Sequence, residues 1–190
     1  MPVIAIVPRR FEDDRGWFCE TFNAQRFAAA GIEANFCQDN QSLSRSVGTL
    51  RGLHFQKPPF AQAKLVRCVR GRIFDVAVDI RKASPTFGKW VGIELSAENN
   101  RQLFVPAGFA HGFVTLEPDS EIAYKVDNYY SAECDAGVLW NDPAIGIDWP
   151  MGDTLPVLSA KDQGLPGLDG LDVDFAYDGI PLGEISETRF

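Results

Sequence analysis

The 190-residue sequence predicts a single all-β domain, and three observations lead to that prediction. Segments in which apolar and polar residues alternate recur along the chain, as they do in half-buried strands. Turn-forming residues separate these segments at short, regular intervals, which is typical of an antiparallel sandwich or barrel. Only one stretch near the start has the capping residues of a helix. A chain of this length can bury a core without help from disulfides or metals.

The alternation is clearest over residues 64–81. Every second residue from 74 to 80 is apolar, and the residues between them include two aspartates, so this segment is expected to be half-buried. Arg70-Gly71 predicts a hairpin turn before it. Further strands are predicted at residues 89–95, 101–105, 112–116, 121–130 and 138–140.

One short helix is predicted at residues 23–30, because Asn23 can cap its first turn and Gly31 can end it in a left-handed conformation. After Pro150 the chain is rich in Gly, Pro, Asp and Leu. We expect loops and short helical turns there, packed over one face of the barrel. No repeat or flexible linker divides residues 1–190, which are predicted to form one domain.

Composition excludes several classes of function. A formal charge of −8 and a pI near 4.7 argue against a surface that binds nucleic acid. No run approaches the roughly 18 apolar residues of a membrane span. The start lacks the basic flank of a signal peptide, so we expect a cytoplasmic protein. The cysteines have no C-x-x-C spacing and are predicted to be small buried residues; they are Cys19, Cys37, Cys68 and Cys134.

The chain contains only two histidines, His54 and His111. The segment PAGFAH at 106–111 resembles the second cupin motif, P-x-G-x-x-H. The first cupin motif has H-x-H followed by Glu, but here the sequence is HFQ at 54–56, with apolar residues where the acid is expected. This resemblance implies a cupin-type double-stranded β-helix, a jelly-roll barrel, with a few short peripheral helices. Because the metal ligands are incomplete, we expect neither a metal nor another cofactor.

A more specific resemblance runs through the chain in order. Its motifs are DRGWF at 14–18, QDN at 38–40, LRGLHFQ at 50–56, AKLV at 63–66, SPTFGKW at 84–90, WNDP at 140–143 and LSAKD at 158–162. Together they resemble the dTDP-4-dehydrorhamnose 3,5-epimerases over about residues 5–165. The tail at 166–190 carries no motif of this family.

The resemblance implies epimerisation of dTDP-4-dehydro-6-deoxy-D-glucose at C3 and C5, by removal and return of protons next to the C4 ketone. The product would be dTDP-4-dehydro-L-rhamnose. By the same resemblance His54 is the base and Asp162 its partner. Lys64 would stabilise the enolate oxygen, and Tyr124 would be the acid on the other face of the sugar.

The resemblance also implies the contacts that hold the substrate. Arg15 and Arg51 match phosphate contacts, with Lys161 as a further cation, Gln38 and Asn40 match contacts to diphosphate or sugar, Phe18, Glu20 and Tyr130 match contacts to the base, and His111 is expected to line the pocket. Members of this family are homodimers that exchange N-terminal strands. The segment 15–20 is therefore expected to serve the neighbour's site.

Other functions remain open at this point. Gln41 and Cys19 depart from the commoner family residues and leave room for an epimerase that acts at C3 alone. A 3,4-ketoisomerase of nucleotide sugars shares the barrel but should differ in histidine spacing. A sugar-nucleotide-binding cupin without catalysis would not need the proposed base and acid together. Each proposed catalytic residue, taken singly, also has a structural alternative as core packing or a solvated surface charge.

Overall fold

The computed structural model describes residues 1–190, which form thirteen strands, two short α-helices and one 3-10 turn. The helices are α1 (Ala24–Ala29) and α2 (Ala160–Gln163), and the 3-10 turn is Leu168–Gly170. The strands are β1 (Ile4–Val7), β2 (Arg10–Asp13), β3 (Gly16–Cys19), β4 (Gln38–Ser44), β5 (Leu50–Gln56), β6 (Lys64–Arg70), β7 (Arg72–Asp79), β8 (Trp90–Ser96), β9 (Gln102–Val105), β10 (Phe109–Thr115), β11 (Ser120–Val126), β12 (Asp135–Gly137) and β13 (Ser186–Arg189).

Eleven of the strands form two sheets. One sheet has the order β13-β1-β9-β6-β11-β4, and the other has the order β12-β5-β10-β7-β8. Neighbouring strands are antiparallel except for β1 and β13, which are parallel. Strands β2 and β3 form a separate hairpin that pairs only with itself. The prediction of an antiparallel all-β domain is confirmed.

Apolar side chains fill three layers, one between the sheets and one on the outer face of each sheet. The middle layer joins Val66 and Leu103 of the six-stranded sheet to Ala77 and Phe113 of the five-stranded sheet. Residues 138–175 cover the outer face of the five-stranded sheet. Helix α1 and the chain after it cover the outer face of the other. At one end of the middle layer polar side chains replace apolar ones, and a cavity opens there.

Strand β7 is buried on both faces, so the prediction of a half-buried strand is wrong. Val76 and Val78 are inaccessible on one face, and Asp75 and Asp79 are equally inaccessible on the other. The strand lies between β10 and β8, and both faces of its sheet are covered. The aspartates are tolerated because each accepts hydrogen bonds from buried side chains.

Two predicted strands have different bounds in the structure. Strand β11 ends earlier than predicted because the carboxylate of Asp127 accepts the amide proton of Ala63 at 2.7 Å. Strand β12 precedes the predicted 138–140 segment, since the Leu139 amide donates to the Pro166 carbonyl at 2.7 Å and leaves the ladder. The other predicted strands agree with β6 to β10 to within a few residues.

The predicted N-terminal helix is confirmed as α1. The Asn23 side chain accepts the amide protons of Gln25 and Arg26 at 3.1 and 3.2 Å, and Gly31 has a φ of +81°. Phe27 is the buried residue that anchors the helix to the sheet. No helix of the chain combines the length and apolar character needed to cross a membrane.

The C-terminal part forms short helical turns, as predicted, and one strand that was not predicted. Strand β13 adds to the edge of β1 and brings the ring of Phe190 within 5.3 Å of the ring of Phe27. The strand is mostly exposed and has no apolar alternation, so its pattern gives no strand signal.

Candidate active site

A cavity of about 390 Å³ lies between the two sheets. This size is typical of pockets that hold a small ligand. Apolar residues such as Val66 and Phe113 form part of its wall. Its polar lining consists of Ser42, Thr49, Arg51, His54, Lys64, His111, Tyr124, Ser159, Lys161 and Asp162. The four residues predicted to be catalytic therefore lie in one cavity.

An irregularity in β5 puts Arg51 and His54 on the same wall. Residues three apart point to opposite faces of a regular strand. Here the register against β10 shifts between these two positions. Gly52 lies at the shift with a φ of +134°, and a Cβ there would be 2.6 Å from the Cα of Gly112. Only glycine satisfies both conditions, so this residue determines that the guanidinium and the imidazole share the cavity.

His54 is hydrogen-bonded to a buried carboxylate. Its Nε2 donates to Oδ1 of Asp162 at 2.5 Å, and the Asp162 side chain is only 5% exposed. The Asp162 amide in turn donates to the Ser159 hydroxyl at 3.1 Å, which caps α2 and fixes this carboxylate. Burial lowers the pKa of His54 below its ordinary value of 6.5, although Asp162 opposes this effect. A neutral imidazole with Nε2 occupied leaves Nδ1 free to accept a proton.

Lys64 and Tyr124 lie on the opposite wall, on adjacent strands of the six-stranded sheet. The Lys64 ammonium donates to the carbonyl of His54 at 3.2 Å. Burial lowers the pKa of Lys64 to about 8, while the negative charges of Asp75 and Asp135 oppose that effect. Burial raises the pKa of the Tyr124 phenol, so it remains protonated at neutral pH. The cavity thus holds an uncharged base on one wall and a cation and a protonated phenol on the other.

His111 also lies on the wall formed by the five-stranded sheet. It is the strand neighbour of His54, and its Nε2 donates to Oδ1 of Asp75 at 2.7 Å. The other oxygen of Asp75 is buried and has no hydrogen-bond partner. The site therefore contains a second His–Asp pair, which sequence analysis did not predict.

A second cavity of about 300 Å³ shares His54, Lys64, Tyr124 and Lys161 with the first. The other proposed contacts on its wall are Gln38, Asn40 and Tyr130. The two amide side chains bond to each other at 2.9 Å. The structure therefore joins the predicted catalytic residues to this set of predicted substrate contacts in one continuous group.

Asp135 connects two of those contacts and was not predicted. It accepts a hydrogen bond from the Tyr130 hydroxyl at 3.2 Å and pairs with the Lys161 ammonium at 2.5 Å. Arg51 lies farther along the first cavity and donates to the Ser44 hydroxyl and the Leu43 carbonyl. These two bonds orient the guanidinium and leave further N–H donors free for an anion.

Three predicted substrate contacts lie away from the cavity in this chain. Arg15 and Phe18 are on the β2–β3 hairpin. The Arg15 side chain is 90% exposed, and Phe18 as a whole residue is 68% exposed. Arg15 pairs with Asp13 at 2.5 Å, and Glu20 pairs with Arg26 at 3.4 Å. None of these three residues lines either cavity.

Gln56 stands where the cupin pattern has its second histidine. Its amide donates to the carbonyls of Phe60 and Tyr129 at 2.7 and 3.0 Å and accepts from the Ser131 amide at 2.7 Å. The side chain thus joins the two loops at the rim of the second cavity. The chain has no group of three or more His, Cys, Asp or Glu side chains arranged to hold a metal ion.

Comparison with known proteins identifies the family. Residues 2–170 match the family described as dTDP-4-dehydrorhamnose 3,5-epimerase. The chain belongs to the dTDP-4-dehydrorhamnose 3,5-epimerase family. It is an isomerase of the epimerase type, as its sequence motifs predicted.

Individual relatives agree with this assignment. The dTDP-4-dehydrorhamnose 3,5-epimerase of Sinorhizobium fredii is 58% identical over 172 residues, which is 90% of this chain and 88% of the relative. The crystal structure of the epimerase from Bacillus anthracis, with TDP and PPi bound, is 55% identical, covers 85% of this chain and 91% of its own, and has a TM-score of 0.82.

A third relative has a sugar nucleotide in its structure. It is the 3,5-epimerase of Legionella pneumophila in complex with dTDP-4-keto-L-rhamnose, 42% identical, with a TM-score of 0.85 and coverage of 92% of this chain and 100% of its own. These structural neighbours confirm the predicted cupin-type jelly roll. The epimerase match ends at residue 170, so β13 lies outside the family region.

Proposed function

We propose that the cavity epimerises dTDP-4-dehydro-6-deoxy-D-glucose at C3 and C5 through the residues identified above, giving dTDP-4-dehydro-L-rhamnose. The observation that supports these roles most is the placement of base and acid. His54 belongs to the five-stranded sheet and Tyr124 to the six-stranded sheet, and both face one cavity. Inversion at a carbon needs a proton removed from one side and returned from the other, and groups on opposing walls can do this.

In the first step Nδ1 of His54 takes the proton from C3. The electrons of the C–H bond form a C3–C4 double bond, and the carbonyl π electrons move to the C4 oxygen to give an enolate. Asp162 stabilises the imidazolium that results, since its carboxylate already accepts a hydrogen bond from Nε2. The lowered pKa of His54 keeps the ring neutral, and therefore competent as a base, at neutral pH.

Lys64 faces the developing negative charge. A desolvated ammonium beside the C4 oxygen stabilises the enolate more than it stabilises the neutral ketone, and this difference lowers the barrier. Its single hydrogen bond, to the His54 carbonyl, fixes its position and leaves other N–H donors for the substrate.

Tyr124 completes the inversion. Its hydroxyl donates a proton to C3 from the opposite wall, the enolate returns to a ketone, and a phenolate remains. The imidazolium loses its proton and the phenolate gains one, so the enzyme returns to its starting state without net gain or loss. The same two transfers at C5 give the second inversion.

The nucleotide would extend from the first cavity into the second. Arg51 and Lys161 offer cationic donors for the diphosphate, and Gln38 and Asn40 offer amide groups. Tyr130 is exposed at the rim, where its ring can stack on a base. His111 would contact the sugar or the phosphate from the wall beside His54.

We further propose a homodimer in which the β2–β3 hairpin of one copy reaches the cavity of the other. The hairpin pairs only with itself and carries an exposed aromatic group, Phe11, Trp17 and Phe18. Such a patch is typical of a contact surface. Arg15 and Glu20 would then reach phosphate and base in the partner's site.

We also propose a cytoplasmic location, which the state of the cysteines supports. All four cysteines are free thiols, which is the usual state of cysteines in a reducing compartment.

The roles of the base and its partner are tested with His54→Gln and Asp162→Asn. Each loses a group needed for proton removal, so we expect kcat to fall by about 10²–10⁴-fold for His54→Gln and by less for Asp162→Asn. Calorimetry should show unchanged dTDP affinity, because neither group is assigned to the nucleotide. Cys37→Ser, at an exposed position away from the cavity, is the control. Turnover by His54→Gln within a few-fold of the unaltered enzyme contradicts the mechanism.

A further inference from the structure

The mechanism leaves one buried acid of the site without a role. Asp75 is inaccessible to solvent, and it lies on β7 next to Phe113 of the cavity wall. Its Oδ1 accepts a hydrogen bond from His111, but its Oδ2 is buried with no partner. Buried carboxylate oxygens are almost always hydrogen-bonded, and the cost of leaving one unpaired calls for a compensating function.

Two carboxylates, Asp75 and Asp135, act on the Lys64 ammonium, and Asp162 lines the same cavity. Asp135 and Asp162 already have partners. Asp162 accepts a hydrogen bond from His54 Nε2 at 2.5 Å, and Asp135 pairs with Lys161 at 2.5 Å. Asp75 forms no ion pair with any Lys or Arg. The remaining titratable or charged groups there are Arg51, His54, His111, Tyr124 and Lys161.

Lys64 is a buried cation that lacks a paired anion, just as Asp75 is a buried acid that lacks a paired cation. It is a desolvated cation with one hydrogen bond, to a neutral carbonyl, and no carboxylate lies within ion-pair distance of it. Lys161 adds a like charge nearby. A lysine in such surroundings tends to lose its proton unless an anion acts on it through the low-dielectric interior.

We infer that Asp75 is a positioning residue that supplies the buried negative charge which keeps Lys64 protonated at the pH of turnover. The inference rests on the role proposed for Lys64 at the C4 oxygen. It assigns to the second His–Asp pair a task different from that of the first. The Asp75 carboxylate lies beneath the cavity wall and bonds to His111, which lies opposite His54 in the sheet. The His54 carbonyl in turn accepts the hydrogen bond from Lys64. A direct ion pair with Asp75 would hold Lys64 away from the ketone. A carboxylate that is not in contact with Lys64 leaves the N–H donors of the ammonium free for the substrate.

The negative charge of Asp75 should affect the pH dependence of the enzyme in one direction. Burial lowers the pKa of Lys64 to about 8, and Asp75 is the larger of the two opposing negative charges. Without that charge the pKa would fall further, and the lysine would be neutral over part of the physiological range. The enzyme would then lose rate first on the alkaline side.

The test is the pH dependence of kcat in Asp75→Asn. Asparagine keeps the size of the side chain and an oxygen that can accept from His111, but it removes the charge. We expect the alkaline limb of the profile to move to lower pH by about one pH unit or more. At a pH above that limb, such a shift lowers kcat about tenfold. The acid limb, set by His54, should stay in place, and KM should change little. Asp75→Glu, which keeps the charge, should restore the alkaline limb.

Asp79→Asn is the matched control, since Asp79 is a buried carboxylate on the same strand that pairs with Arg81 away from the cavity. It should lower thermal stability and leave both limbs unmoved. Asp75→Ser is the second variant if Asp75→Asn does not fold, because a hydroxyl can also bond to His111.

A uniform loss of rate at every pH in Asp75→Asn, with the alkaline limb unmoved, overturns the inference and leaves Asp75 as a support for His111. Lys64→Met distinguishes a failure of the role proposed for Lys64 from a failure of the role inferred for Asp75. If Lys64→Met turns over normally, the proposed role of Lys64 fails. If Lys64→Met is inactive while the limb does not move in Asp75→Asn, only the inference about Asp75 fails.

Discussion

The cavity between the sheets and the β2–β3 hairpin are built in opposite ways. His54, Lys64 and Tyr124 lie on strands with neighbours on both sides, and buried partners such as Asp162 orient them. The hairpin strands pair only with each other, and Arg15 at their turn is 90% exposed. The cavity therefore has its geometry within a single chain, whereas Arg15 and Phe18 on the hairpin lie outside both cavities of the same chain.

With the roles proposed above, the difference separates chemistry from binding. Groups that transfer protons must be held to within a fraction of an ångström, and the barrel wall does this. Groups that hold a nucleotide can come from elsewhere, because they act on parts of the substrate away from the reacting carbons. Substitutions in the cavity should accordingly lower kcat, and substitutions in the hairpin should raise KM.

After His54→Gln, the largest effect is expected for Lys64→Met, which keeps the apolar stem and removes the charge. Loss of the group that stabilises the enolate should lower kcat by about 10²–10³-fold, with dTDP affinity little changed. Steady-state kinetics and calorimetry measure the two quantities. Lys82→Met, at an exposed turn, is the control and should match the unaltered enzyme. A higher KM with normal kcat would show that Lys64 binds the substrate and does not stabilise the enolate.

Tyr124→Phe should lower the rate of inversion by about 10²-fold, because the acid is lost but the base remains. His54 can still remove and return a proton on its own side, so solvent deuterium should enter C3 faster than the product forms. Tyr129→Phe, at an exposed position on the rim, should leave the ratio of exchange to inversion unchanged. If exchange and inversion fall together in Tyr124→Phe, the phenol has another role.

Sequence patterns predicted the all-β class and strands β6 to β11, because these strands alternate and their turns contain Gly, Pro, Asn and Asp. The pattern failed at β7, where the aspartates look like a solvent face. Alternation cannot distinguish water from buried partners, which here are His111 for Asp75 and Arg81 for Asp79. It also gave no bounds for β1 to β5. It missed β13 as well, whose stability depends on its contact with β1 and Phe27 rather than on its own residues.

The candidate site was predicted through motifs, and its neighbours were missed. His54 and Asp162 lie 108 residues apart, so no local rule joins them. The sequence analysis assigned no role to Asp75, Asp135 or Ser159, although Ser159 lies in the LSAKD motif, and each of them acts through another residue. An acidic residue between two apolar residues of a predicted strand, as in Phe74-Asp75-Val76, is a signal that could have identified Asp75.

Arg15→Ala tests the hairpin side of the comparison. Loss of one charge-assisted contact to phosphate should raise KM about tenfold, with kcat little changed. Asp13→Asn removes the present partner of Arg15 and should lower KM slightly, since the guanidinium no longer has to leave an ion pair. Initial rates over a range of substrate concentrations measure both. A fall in kcat without a change in KM would show that the hairpin contributes to the chemistry.

The smallest effect is expected from pH near neutrality. His54 must be neutral, and burial lowers its pKa, so kcat should fall only below pH 6.5. Lys64 must be protonated, and its pKa is about 8, so kcat should fall again above that pH. Between these limits a plateau is expected. Steady loss of kcat from pH 8 down to 6.5 would mean that the base is not a buried neutral imidazole.

The central claim is that one cavity exchanges protons at both carbons beside the ketone. The most direct test is NMR of dTDP-4-dehydro-6-deoxy-D-glucose with the enzyme in deuterated water, following deuterium at C3 and C5. The account predicts deuterium at both carbons together with formation of dTDP-4-dehydro-L-rhamnose. Deuterium at C3 alone would show an epimerase of C3 only, and deuterium at neither carbon would contradict the assigned base, acid and cation together.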